Sequence, residues 1–252
     1  MSSTDPLDGR VSIVTGAGGS IGGGIATHLA EAGSDVVLAV HNDEDVAGEI
    51  RAHGQRAHTV GVDVTDRESV DAMVDEALEE FGRIDVVVNN AGALSVGSVL
   101  ELDESDWDRV MDVNAKGAFL VSQATIPHLR ENEGTTINVS SISGMIAAPD
   151  HCHYGASKHA INGLTKSLAM ELAEDDITVN ALCPGIVASQ MWTEQLTPES
   201  DESFAETVDR LIPLGRDQTP EDMGEAAVYL ATSQNVTGEE LTVDGGIVQN
   251  II

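Results

Sequence analysis

"VSIVTGAGGSIGGGIATHLAEAG", Val11 through Gly33, is the stretch whose reading decides the fold. It runs as a short apolar strand, a glycine-rich turn and then a helix. Glycines let a backbone approach a pyrophosphate closely, and a helix N-terminus offers unpaired N–H groups and a positive dipole end. Gly16 and Gly22 anchor the turn, with Gly18, Gly19, Ser20 and Ile21 between them. Glycines also permit tight strand–helix packing, so the phosphate reading rests on placement: the turn follows the first strand and opens a helix.

The same alternation extends outward from this unit. Strand candidates are "VSIVTG", "DVVLAV", "AHTVGVDV", "IDVVVNN", "TTINVSS", "ITVNALCP" and "ELTVDGG". Between them the sequence predicts helices at about 21–32, 44–53, 67–81, 104–130, 152–174 and 220–232. In "VDAMVDEALEEF", for instance, Val70, Met73, Val74, Ala77, Leu78 and Phe81 recur at helical spacing. Near-continuous apolar strands alternating with helices require a parallel sheet covered on both faces, hence a single doubly wound α/β domain over residues 1–252. One long irregular stretch, about 188–219, is expected to be either a lid on the substrate side or a solvated acidic excursion.

Composition excludes several functions. The chain has 43 Asp+Glu against 12 Lys+Arg, a formal net charge of -31. Such a surface repels nucleic-acid backbones and anionic membranes. The acids are scattered through every segment rather than gathered in a tail, which predicts a protein built for a salt-rich, halophilic setting. An apolar content of 41% argues against acidic disorder. Cys152 and Cys183 are too few for a disulfide framework, the opening residues are polar, and no apolar run reaches the length of a membrane span. The expectation is a soluble cytoplasmic protein acting on a small-molecule substrate.

A dinucleotide site usually carries an acid after its second strand for the adenosine ribose, or a base for a 2′-phosphate. That position falls near Val40, which can do neither; His41 can help a phosphate and Asp43 a ribose, so NAD and NADP both stay open. Asp63, followed by Val64 at the end of the third strand, is placed to accept a hydrogen bond from an adenine amine, whereas the cap of the next helix belongs to Thr65 or Asp66.

In "HCHYGASKHA", His151 through Ala160, three histidines and a cysteine invite a metal reading. Adjacent and alternate positions at a helix start fan apart, however, and no second ligand cluster appears, so no metal is expected. His151 and His153 are expected to border a substrate pocket. Tyr154 and Lys158, four apart, share one helix face. An ammonium beside the phenol, with a nicotinamide cation nearby, favours the phenolate and makes tyrosine a usable general acid/base. By itself this spacing is common. The chain has only three lysines, Lys116, Lys158 and Lys166.

Taken together the motifs resemble the short-chain dehydrogenase/reductase family, in its shorter, single-domain branch. They run in family order: "TGAGGSIG", "DV" at 63–64, "NNAG" at 89–92, "NAKG" at 114–117, "NVSS" at 138–141, "YGASK" at 154–158, "PGIV" at 184–187 and "TGEELTVDGG" at 237–246. The resemblance implies a seven-stranded Rossmann-type sheet and an NAD(P)-dependent oxidoreductase of secondary alcohols or carbonyls. It implies Tyr154 as proton donor and acceptor, with Lys158 tuning that phenol and holding the nicotinamide ribose. Ser141, thirteen residues before Tyr154, would bind the substrate oxygen, Ser140 would pack into the strand end, and Asn114 would hold a relay water. Asn90 and Gly92 would border the adenosine ribose; Pro184, Gly185, Val187 and Ser189 would hold the nicotinamide carboxamide.

Ser20 stands where the short branch usually has glycine, and the turn equally satisfies the longer, epimerase-containing branch. Chain length, "NNAG" and the serine–tyrosine interval oppose that reading. A non-catalytic dinucleotide sensor is the other alternative, opposed by the retention of all four catalytic positions. Sugars or polyols, 3-oxoacyl thioesters and small ketones all remain as substrates, and a phosphate-rich acyl carrier is disfavoured by the scarcity of basic residues near 188–219. The resemblance further implies a homotetramer, joined through the helices at 104–130 and 152–174 and covered elsewhere by the tail "VDGGIVQNII".

Overall fold

Seven β-branched runs form the seven strands of one sheet: β1 (Val11–Thr15), β2 (Asp35–Val40), β3 (Ala57–Gly61), β4 (Val86–Asn89), β5 (Thr135–Val139), β6 (Thr178–Pro184) and β7 (Glu240–Val243). The computed structural model describes residues 5–41, 47–52, 54–188 and 204–250. All pairings are parallel, in the order β3-β2-β1-β4-β5-β6-β7. The order reverses between β1 and β4, and in such sheets a ligand crevice opens at that point, beyond the carboxyl ends of the strands.

Alternate strand residues build two cores. Val14, Val36, Leu38, Val40, Val86 and Val88 pack under α1 (Ser20–Glu31), α2 (Ala47–Ala52) and α8 (Pro220–Thr232). Ile13, Val37, Ala39, Val87 and Val179 pack under α3 (Arg67–Phe81), α5 (Gly117–Arg130) and α6 (Cys152–Glu171). The central strands β1, β2 and β4 are thus apolar on both faces, as a sheet sandwiched between helix layers requires. Asp66 caps α3 by accepting from the Glu68 N–H, and Gly82 ends it in the left-handed region at φ 78°. Thr219 and Asp222 form a reciprocal capping box on α8.

Two sequence expectations are corrected. The helix predicted over 104–130 is interrupted: α4 (Glu104–Met111) passes into a π turn, Asp112–Lys116, before α5 resumes. A single extra residue per turn is invisible to a 3.6-residue pattern and often marks a functional position. The stretch 188–219 is not irregular throughout, because α7 (Phe204–Leu211) lies within it. Val208 and Ile212 pack against Ile186 and Ile247, with Ile142 and Ile146 alongside. Residues 189–203, including Ser189, and the tail residues 251–252 lie outside the described residues, as does Asp43.

Candidate active site

The glycine turn shows why each glycine is there. Gly16 has φ 65°, and a Cβ on it would stand 2.9 Å from the Ala91 Cα. A Cβ on Gly22 would fall on the Gly16 carbonyl and the Asn90 side chain. Both are explained by internal packing. Gly19 is not: its φ is -82°, and the nearest atom a Cβ would meet is the Gly16 carbonyl oxygen at 3.5 Å. Gly19 is exposed and caps α1 without a side-chain hydrogen bond, and the first turn of α1 carries no acid in a chain rich in acids. Open space, uncapped N–H groups and absent carboxylates together fit a pyrophosphate.

Asn90 closes the turn from the β4 side. Its side chain donates to the carbonyls of Thr15 and Gly16 at 2.9 and 3.1 Å, while the N–H groups of Asn90 and Ala91 each donate to the Thr15 hydroxyl at 3.0 Å. The sequence reading missed Thr15; its only signal is a hydroxyl at the end of an otherwise apolar strand. Asp63 holds one carboxylate oxygen on the N–H and hydroxyl of Thr65, at 2.9 and 2.7 Å. Those bonds, with smaller help from His41 and Lys116, keep its carboxyl below the usual range. Val64 is buried beside it and His41 is exposed at the end of β2.

The second half of the site gathers at the ends of β5 and β6. The two serines of "NVSS" separate. Ser141 acts on the Tyr154 phenol in the sense that lowers it, and its hydroxyl accepts from the Ser143 N–H at 3.1 Å. Ser140 donates to the Lys158 carbonyl at 3.2 Å and takes its own N–H to Leu182. Lys158 is buried, donates from Nζ to the Val139 carbonyl at 2.9 Å, and lies 5.5 Å from the centre of the Tyr154 ring. Burial pushes its ammonium down to about 8.

Burial also raises the Tyr154 phenol above its ordinary value, and the Ser141 side chain only partly offsets this. The expected lowering is therefore not a property of the free chain, because desolvation outweighs the other influences on the phenol. In this state Tyr154 is an acid rather than a base.

Asn114 sits in the π turn, buried. Its Oδ1 accepts from the Ala93 N–H at 2.7 Å and its Nδ2 donates to the Ala93 carbonyl at 3.0 Å and the Ser157 hydroxyl at 2.9 Å. Ser157, which the sequence reading did not single out, in turn donates to the Tyr154 carbonyl at 2.7 Å. A Cβ on Gly92 would stand 3.5 Å from the Asn114 Oδ1 and 3.9 Å from the Lys158 Nζ, so the space between those two groups is kept open by a missing side chain. Pro184 ends β6; Gly185 donates its N–H to the Val243 carbonyl at 3.0 Å, and Val187 pairs with Gln218 in an isolated parallel bridge. Thr15, Asn90, Ser141 and Gly185 stand at the carboxyl ends of β1, β4, β5 and β6, the side on which such sheets bind ligands.

The three histidines take three separate jobs. The His151 Nδ1 bonds to the Pro149 carbonyl at 2.6 Å, the His153 Nε2 to the Ser95 hydroxyl at 2.7 Å, and the His159 Nδ1 to the Gly155 carbonyl at 2.8 Å. A cleft of about 280 Å³ beside Tyr154 is lined by His151, His159, Cys152 and Ser143 among others. His153 does not line it, being fully buried. Among the described residues no group of three His, Cys, Asp or Glu side chains stands close enough to hold a metal ion, and no helix is long and apolar enough to cross a membrane.

Comparison with known proteins places the chain among oxidoreductases. A family model described as enoyl-(acyl carrier protein) reductase matches residues 16–248. The oxidoreductase UcpA of Salmonella typhimurium is 40% identical over 249 residues, covering 95% of each chain. The 3-oxoacyl-(acyl-carrier-protein) reductase FabG of Thermotoga maritima is 36% identical over 248 residues, covering 96% of this chain and 99% of its own. Among solved structures, a short-chain type dehydrogenase/reductase from Mycobacterium marinum superposes with a TM-score of 0.89 at 35% identity over 96% of both chains.

Proposed function

Because the chain belongs to the short-chain dehydrogenase/reductase family and is an NAD(P)-dependent enzyme of that family, we propose that it interconverts a secondary alcohol and its carbonyl through Tyr154, Ser141, Lys158 and Asn114. One observation carries the reading: a buried ammonium stands 5.5 Å from the centre of a phenol ring, and a serine side chain at the end of β5 acts to lower that phenol, on the same carboxyl edge of the sheet as the glycine turn. The nicotinamide supplies or accepts the hydride when bound.

The remaining chemistry belongs to the chain. Ser141 donates a hydrogen bond to the substrate oxygen, and Tyr154 delivers a proton to that oxygen or removes one from it. Lys158, still largely protonated near neutrality, favours the phenolate electrostatically and is the group placed to hold the nicotinamide ribose. The Asn114 side chain is already engaged by Ala93 and Ser157, so a relay water would rest on its main-chain carbonyl in the widened turn. Gly19, Ser20 and Ile21 would hold the pyrophosphate, with Gly16 and Gly22 shaping the turn. Asp63, Val64, Asn90 and Gly92 would border the adenosine half; Pro184, Gly185, Val187 and Ser189 the carboxamide.

For substrate, two features narrow the field. The relatives include a 3-oxoacyl-(acyl-carrier-protein) reductase, which puts 3-oxo compounds forward. The charge of -31 and the few basic residues disfavour a phosphate-bearing carrier, so we assign a carrier-free alcohol, ketone or 3-oxo ester. Exposed Trp107, Phe119 and Met170 on α4, α5 and α6 support assembly through those helices into a homotetramer. Ile247 from the tail is buried within the subunit against Ile186 and Val208, which favours internal packing of that segment. A cytoplasmic location accords with two free cysteines.

The test is a panel at high salt that follows reduced NAD and NADP absorbance against sugars, secondary alcohols, ketones and 3-oxo esters. Turnover with one class establishes the reaction; cofactor binding without turnover on any class favours a sensor.

A further inference from the structure

His153 is a fully buried imidazole whose one hydrogen bond among those described joins its Nε2 to the Ser95 hydroxyl at 2.7 Å; its Nδ1 is buried without a partner. Burying a polar ring with half its capacity unmet is unfavourable, and such groups call for a reason. Desolvation holds the ring below the usual histidine range, against a small opposing influence from Asp106 and with His151 and Arg109 adding to it. A neutral ring leaves one nitrogen bare. Orphaned buried N–H groups are rarer than under-used acceptors, so the bare nitrogen is Nδ1 and Nε2–H donates to Ser95.

Ser95 lies in the stretch that follows β4, where 93–98 has no regular structure, just after Gly92, which stands beside Asn114 and Lys158. That stretch is tied down at four points. Asn114 clamps both backbone groups of Ala93, Arg109 donates to the Leu94 carbonyl at 3.2 Å, His153 takes Ser95, and the Gly97 N–H donates to the Asp150 carbonyl at 3.0 Å. Asp150 adopts φ 61°, a left-handed conformation uncommon outside glycine, to present that carbonyl. Two of the four ties therefore reach the residues that lead directly into Tyr154.

We propose that His153 is a positioning residue: through Ser95 it holds the 93–98 stretch as a wall of the substrate crevice beside Tyr154, without itself entering the chemistry. The functional half of this inference rests on the oxidoreductase reading above; the tie itself does not.

Three single variants and one double variant of the full chain at high salt test it: Ser95→Ala, His153→Phe, His153→Gln, and Ser95→Ala combined with His153→Phe. The glutamine amide reaches about as far as Nε2 and can donate to Ser95. Hydrogen–deuterium exchange of the peptide covering 93–98 should quicken about fivefold in Ser95→Ala and His153→Phe, a hydrogen bond's worth of protection, and recover in His153→Gln. With ethyl acetoacetate as probe, substrate KM should rise about fivefold in the first two variants, with kcat and cofactor KM within about twofold of the parent. The double variant should be no worse than either single one. Unchanged exchange, additive effects, failure of glutamine to rescue, or kcat falling in step with KM would each overturn the proposal. Ser95→Ala removes only a hydroxyl from a partly exposed residue, so the exchange result stands even if His153→Phe does not fold. Faster exchange in a protein that turns over nothing in the panel counts against the oxidoreductase reading and leaves the tie established.

Discussion

Lys158 reaches past the Tyr154 ring, 5.5 Å from its centre, to donate to the Val139 carbonyl at 2.9 Å. The two side chains leave α6 one turn apart on the same face, which brings the ammonium against the phenol while the end of β5 holds it there. Their relation is electrostatic, and the Ser141 side chain acts on the phenol in the sense that lowers it. Burial acts on the pair in opposite senses, raising the phenol and lowering the ammonium, since each charged form is penalised.

Removing the phenolic hydroxyl should separate binding from chemistry. Tyr154→Phe should keep cofactor affinity within about threefold, measured by fluorescence titration, while kcat falls by about 10³-fold or more. Retention of substantial turnover would assign proton transfer elsewhere.

Lys158 should be a stability burden. The unfolded chain binds this proton up to its ordinary 10.5, the folded chain only to about 8. Between those values the unfolded state holds more protons, so wild-type stability rises with pH across that window; below about 8 the full penalty persists. Lys158→Met should therefore stabilise the fold at pH near 7 by on the order of 2 kcal/mol in urea denaturation, after loss of the Val139 hydrogen bond, and abolish turnover. The gap between variant and wild type should shrink as pH approaches 10.

The glycines should divide by role. Gly22→Ala sets a methyl on the Gly16 carbonyl and should cost about 1–3 kcal/mol in thermal or urea unfolding. Gly19→Ala meets nothing closer than 3.5 Å, so its unfolding should match wild type within about 0.5 kcal/mol while cofactor binding weakens about tenfold or more. Equal loss of stability in both would make the turn a packing device only.

The two thiols should differ. Cys183 is buried in β6 and its thiol is pushed up to about 12, chiefly by burial; Cys152 is exposed. A disulfide reagent should titrate at most one thiol in the folded protein and two in guanidinium.

Surface charge should make folding salt-dependent. A net charge of -31 repels itself at low ionic strength, and the Debye length falls from about 10 Å at 0.1 M to about 3 Å at 1 M. Melting temperature should climb over that range of KCl, and a flat response would remove the halophilic reading.

Number and direction of the strands were legible in the chain, because strand and helix periods are local and the glycine turn, "NNAG" and "YGASK" punctuate them at fixed places. The same local logic put Tyr154 and Lys158 on one helix face. What only the folded molecule decided depends on groups far apart in sequence. A π turn, too short to register in any periodicity, aims Asn114 at Ala93; packing of α6 against the stretch after β4 hides His153 on Ser95 and leaves His151 on the cleft. Desolvation, which sums the whole surroundings, raises the phenol in the chain alone, whereas the lowering expected from the sequence includes a bound nicotinamide cation. Local pattern specifies which elements form and which faces they bury; the polarity and reach of each side chain are set by what the other elements bring against it.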